Sequence, residues 1–111
     1  MASIVNVRLI EGDETSRTWQ ITTDETPLNL SAVTVTAIIK PHAGVEDDDD
    51  TAHHLSEGDG LTVVDAAAGK VKGEIPVAVT QAPGKWLYKI VVDLGDDTET
   101  AIWGYMQVAD A

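Results

Sequence analysis

The residues best equipped for chemistry lie between positions 42 and 60. There His42, His53 and His54 accompany seven acids (Glu46, Asp47, Asp48, Asp49, Asp50, Glu57 and Asp59) and no base. Carboxylates gathered this densely could ligate a hard cation such as Ca2+, which takes about six to eight oxygens. Consecutive residues of an extended segment point to alternate sides, however. The calcium-loop pattern, with its central Gly and terminal Glu, is missing from the sequence. The three histidines lack a spacing that would pair them on one ordered element, so a transition-metal site is not expected. Ser3, Ser16, Ser31 and Ser56 supply hydroxyls, but none has the surroundings of a nucleophile elbow. Self-repulsion and low hydrophobicity predict that 42–60 is a mobile, solvated loop, poor ground for preorganised catalysis. The expectation is therefore no catalytic residue, no metal, no cofactor, and a protein that is not an enzyme.

A second chemical signal is aromatic. Trp86 and Tyr88 alternate in step with Ile90 and Val92, which predicts burial in a core. Trp103 and Tyr105 alternate against Ile102, Met106 and Val108, and both sets are apolar. Alternation leaves two arrangements open: the pair is buried, or it forms an exposed stripe that would act as a contact hot spot. Leu87, Val91, Ile38 and Ile10 also fall on nominally outer faces, where a lone domain should be polar. The candidate partner-binding residues are accordingly Trp103, Tyr105, Leu87 and Val91.

Positioning these side chains requires strands. Val, Ile and Thr number 13, 8 and 12 of the 111 residues, and Phe is absent. Such β-branched residues are stiff at χ1 and suit a pleated surface. Period-two alternation predicts strands over 3–11, 17–23, 32–40, 61–65, 70–79, 85–94 and 98–109. Of these, 32–40 is the clearest, with Val33, Val35, Ala37 and Ile39 sharing a face. Gly12, Pro27, Pro41, Gly58–Gly60, Pro83-Gly84 and Gly95 punctuate them. The last two strands read as a C-terminal hairpin. About seven short strands with frequent turns predict an all-β, antiparallel immunoglobulin-like β-sandwich, one domain over 1–111.

Charge narrows the function classes. The chain holds 19 acids and 7 bases, a net charge of −12. That opposes binding to a phosphate backbone, which needs a basic stripe. No apolar run approaches the roughly 18 residues of a membrane-spanning helix, and the first twelve residues lack a signal-peptide core. With no cysteine, disulfides and thiolate zinc sites are excluded. Mimicry of nucleic acid would need carboxylates ordered on a rigid surface. Here 42–60 alone holds seven of the acids.

The order of the punctuation adds a family likeness. Trp19-Gln20-Ile21, then Thr26-Pro27-Leu28-Asn29-Leu30-Ser31-Ala32, then the strand Val33–Lys40 resembles the opening of a phage immunoglobulin-like module. That module occurs in upper-baseplate and other tail- or head-associated virion proteins, where a P-[LV]-D-L-T-G-A-x-V segment leads into a strand. Gly60-Leu61-Thr62-Val63-Val64-Asp65, Gly69-Lys70-Val71, Pro83-Gly84-Lys85-Trp86-Leu87-Tyr88 and Gly104 follow in the family's order. Asn29 stands where Asp is usual, and Ser31-Ala32 replaces Thr-Gly. The likeness spans roughly residues 17 to 108 and supplies no catalytic residues. It implies a non-enzymatic phage virion component in the tail, baseplate or capsid, assembled in the host cytoplasm. Its partners would be other phage virion proteins, in a homo-oligomer or symmetric assembly, with neither nucleic acid nor membrane as partner. A carbohydrate- or ligand-binding β-sandwich is the alternative, since exposed Trp and Tyr stack on sugar rings.

Overall fold

A computed structural model describes residues 3–12, 15–23, 26–31, 33–41, 46, 51–81, 84–95 and 97–109. The described residues are all-β apart from one helical turn. Its strands are β1 (Ser3–Ile4), β2 (Val7–Ile10), β3 (Thr15–Gln20), β4 (Thr22–Thr23), β5 (Thr26–Pro27), β6 (Thr34–Lys40), β7 (His53–Glu57), β8 (Gly60–Asp65), β9 (Lys70–Ile75), β10 (Gly84–Asp93) and β11 (Thr98–Ala109). Alternation sets the inner face as the sequence predicts. Val35, Ala37 and Ile39 of β6 are buried, as are Tyr88, Ile90 and Val92 of β10. The C-terminal hairpin is present, with β10 and β11 paired antiparallel from Gly84↔Val108 to Asp93↔Thr98.

The sheet is not purely antiparallel. Nine strands form one mixed sheet in the order β1-β11-β10-β6-β7-β8-β9-β3, with β2 also on β11, and β4 and β5 pair separately. β1 and β2 run parallel to β11, and β7 meets β8 in parallel at Ser56↔Gly60 and Glu57↔Leu61. Side-chain alternation is the same for either strand direction, so the sequence pattern carries no sign of this. The β7–β8 link spans two residue pairs at a sharp corner. It joins β1–β7 and β8–β3 into one nearly barrel-like sheet around a single core. Trp19 on β3 meets Tyr88 on β10 across that core, with ring centroids 5.6 Å apart.

Four predicted elements differ. The strand expected over 17–23 breaks at Ile21 into β3 and β4 of separate sheets. The expected first strand breaks after Ile4, and the Asn6 Oδ1 accepts a 3.0 Å hydrogen bond from the Tyr105 N–H in place of a ladder bond. The strand expected over 70–79 stops at Ile75, because Pro76 cannot donate to a ladder. It is followed by the helical turn Val77–Thr80, whose Val79 and Thr80 are still buried. The stretch 42–60 is not loop throughout: His53–Glu57 is a strand whose Leu55 enters the core. A single buried apolar residue, Leu55, was too weak a periodic signal among His and acids. Of the other residues in that stretch, 42–45 and 47–50 lie outside the described residues.

Two glycines are required by close approach. A Cβ on Gly104 would land on the Val5 carbonyl, so β11 admits the N-terminal segment only without a side chain there. Gly69, at φ +72°, turns β8 into β9 where a Cβ would strike the Ile21 carbonyl and lie 2.8 Å from the Leu28 carbonyl oxygen. Asn29 serves a turn too: its Oδ1 accepts from the Ser31 N–H at 3.0 Å, a role Asp performs equally well.

Candidate interaction surface

Among the described residues, the histidines and serines are spread over separate faces. His53 and His54 point to opposite faces of β7. His53 lies against Trp86 with centroids 5.5 Å apart, while His54 is exposed opposite Ile38. Ser56 shares the His54 face two residues on, about 6–7 Å along a strand and outside hydrogen-bond reach. Among the described residues, no group of three His, Asp or Glu is placed to hold a metal ion. Asp47, Asp48, Asp49, Asp50 and His42 lie outside those residues. An open groove of about 440 Å³ at the end of β3 and β9 is lined by Ser16 and Glu74 with Thr15, Ile75 and Val77. Among the described residues, no Lys, Arg or His lines it.

Among the described residues, the titratable group that burial shifts serves the core. Tyr88 is pushed above the ordinary phenol value by burial, offset in part by the hydrogen bond from Trp19. Its hydroxyl accepts from the Trp19 Nε1–H at 3.1 Å and donates to the Val5 carbonyl. Two sheet regions and the N-terminal strand are thereby tied at one oxygen. Among the described residues no buried side-chain polar atom lacks a partner.

The outer face of β11, β10 and β6 is different in kind. Since Ile102, Gly104, Met106 and Val108 face inward, Trp103 and Tyr105 face out, 37 % and 41 % exposed. This decides between the two arrangements that alternation allowed. Leu87 sits directly opposite Tyr105, and Val91 opposite Thr100; both are half-buried on the same outer surface. All four candidate partner-binding residues therefore share one face. Ile4, 63 % exposed, extends the apolar row beside Trp103, and Ile38 continues it beyond Lys89.

The sequence reading missed the charge on this face. Arg8 on β2, Lys85 and Lys89 on β10, and Lys40 on β6 all point outward, four of the seven bases in the chain. Among the described outward strand positions of β2, β6, β7, β10 and β11, Asp93 is the one acid. The Lys85 Nζ stands 4.8 Å from the Tyr105 ring centroid, a cation–π contact. Beside it runs a shallow groove of about 180 Å³ lined by Asn6, Arg8, Lys85, Tyr105 and Gln107. The two-residue spacing of Lys85 and Lys89 with Leu87 was legible. Their neighbours Arg8 and Lys40 belong to strands whose adjacency the sequence does not announce. No known protein family matches the chain, and no curated protein does either.

Proposed function

We propose that the chain is a non-enzymatic docking module of a phage virion, an immunoglobulin-like sandwich that attaches to tail, baseplate or capsid through the outer face of β10 and β11. The observation that carries this reading is the exposed Trp103–Tyr105 pair flanked by Leu87 and Val91. Aromatic residues rimmed by polar ones are what protein contacts use as anchors. The sandwich reading is supported by strand neighbours: β6, β10 and β11 adjoin, and the N-terminal strand runs beside the last one. β8, β9 and β3 cover the other side of the core, as in immunoglobulin-type domains. The motif order from Trp19 to Gly104 favours the phage setting.

The test is cofractionation. Phage particles purified on a density gradient, read by mass spectrometry, should contain the chain in a fixed ratio to a known virion protein. A Trp103→Ala/Tyr105→Ala variant should remain folded and be lost from the particles. Absence of the wild-type chain from purified particles would end the reading. A carbohydrate-binding module is the second reading, favoured by the same two aromatics standing two residues apart on one strand. Glycan-array binding that Trp103→Ala abolishes, with no association to particles, would establish it.

A further inference from the structure

The two ends of the β10–β11 ribbon are chemically complementary. At one end lies the groove with Arg8, Lys85, Tyr105 and Gln107, and the exposed Ile10 follows Arg8 along β2. The described acid at that end of β2, Glu11, is half-buried and already engaged. At the other end is the hairpin tip, where Asp93, Asp97 and Glu99 are exposed around Leu94, itself 40 % exposed. The tip between Asp93 and Glu99 contains no base. Eight residues of strand separate Lys85 from Asp93, about 27 Å at the usual rise. One copy cannot bring its own tip to its own groove over a rigid strand of that length.

We infer that the groove receives the hairpin tip of a second copy, so that Arg8 and Lys85 meet Asp97 and Glu99 while Leu94 lies against Tyr105. This names the partner of the docking face and rests on the reading of that face as a docking surface. The contact is heterologous: a different patch on each copy, repeated head to tail. Such contacts close into rings or continue as filaments, the forms in which a small virion module repeats. Complementary charge orients the copies and opposes the alternative in which two cationic faces meet. Because each copy carries −12 overall, the contact is weak in free solution.

Sedimentation and light scattering of the full chain test this. In about 100 mM salt, where the repulsion between −12 copies is screened beyond about 10 Å, average mass should rise with concentration towards about 1 mM. It should return to the monomer value in about 500 mM salt, where screening shortens to a few ångströms. A groove variant, Arg8→Glu/Lys85→Glu, and a tip variant, Asp97→Lys/Glu99→Lys, should each self-associate at least about 10-fold more weakly. An equimolar mixture should regain association, because the intact tip of the first fits the intact groove of the second and the reversed Lys tip fits the reversed Glu groove. That recovery also shows that both variants are folded. A chain that stays monomeric throughout at the lower salt overturns the inference, as does self-association that both variants retain. It is overturned too if Asp47–Asp50→Asn releases a groove that wild type fills with its own acids, seen as new binding of a labelled oligo-glutamate peptide. Gradient-purified particles separate the two ideas. Groove and tip variants that stay on particles, with a monomeric wild type, remove the self-contact and leave the docking reading. Self-association without any presence on particles does the reverse.

Discussion

Adjacent residues of β11 live in opposite worlds. Ile102, Gly104, Met106 and Val108 fill the core, while Trp103, Tyr105 and Gln107 face solvent beside Lys85 and Lys89. Both sets are rich in apolar atoms, so hydrophobicity does not separate them. What separates them is steric demand: the inner side has room for no side chain at Gly104, whereas the outer side accommodates an indole and a phenol. The inner face is specified by fit, the outer by what it presents. Loss of an inner group should therefore be read in stability, and loss of an outer one in binding.

Neighbouring substitutions break or sharpen that contrast. Ile102→Ala opens a cavity in a closed core and should cost about 2–5 kcal/mol in urea unfolding. Gly104→Ala pushes a methyl group into the Val5 carbonyl and should cost about 1–3 kcal/mol, with the N-terminal strand the first region to lose hydrogen-exchange protection. Tyr88→Phe strands the Trp19 Nε1–H and the Val5 carbonyl without their shared partner, for about 1–2 kcal/mol.

The same tyrosine sets an alkaline limit. Burial raises the Tyr88 pKa in the folded chain above its unfolded value, so the native state holds its proton more firmly. That stabilisation is complete below about pH 10, the ordinary phenol value, and is lost as pH rises through the folded value. Unfolding midpoints should fall above about pH 10 in wild type and fall less in Tyr88→Phe. A parallel decline in both would assign the alkaline loss to other groups. The smallest stability effect belongs to the outer face: Trp103→Ala should change unfolding by no more than about 0.5–1 kcal/mol while removing the docking contact. A loss as large as that of Ile102→Ala would erase the distinction between the two faces.

Much of this was legible because alternation is a local property. Val35, Ala37 and Ile39, or Tyr88, Ile90 and Val92, declare their inner face without reference to any other strand. The β10–β11 hairpin was equally local, fixed by the turn around Gly95. Relations between distant segments were not. That β2 lies parallel on β11, placing Arg8 beside Gln107, depends on packing at a separation of about a hundred residues. The register shift at Ile90 and Val91 separates Thr98–Thr100 from Ile102–Val108, so alternation reads each part of β11 but not the offset between them. Within the site, Trp103, Tyr105, Leu87 and Val91 were found as apolar residues in unexpected positions. Arg8 and Lys40 were missed because their significance comes from strand neighbours. His53–Glu57 failed for a different reason: its acids and histidines mask a strand held by Leu55 and by pairing to β6.

The placement of the indoles has a practical reach. Trp19 is sealed in the core within 5.6 Å of a tyrosine ring, Trp86 is half-buried against a histidine, and Trp103 stands at the surface. The chain thus contains its own pair of optical gauges. Iodide should quench the red-edge emission of Trp103 and spare the blue-edge emission of Trp19. With Trp86 changed to Phe, one fluorescence spectrum would report occupancy of the exterior at long wavelength and integrity of the interior at short wavelength, in the same cuvette and without a label.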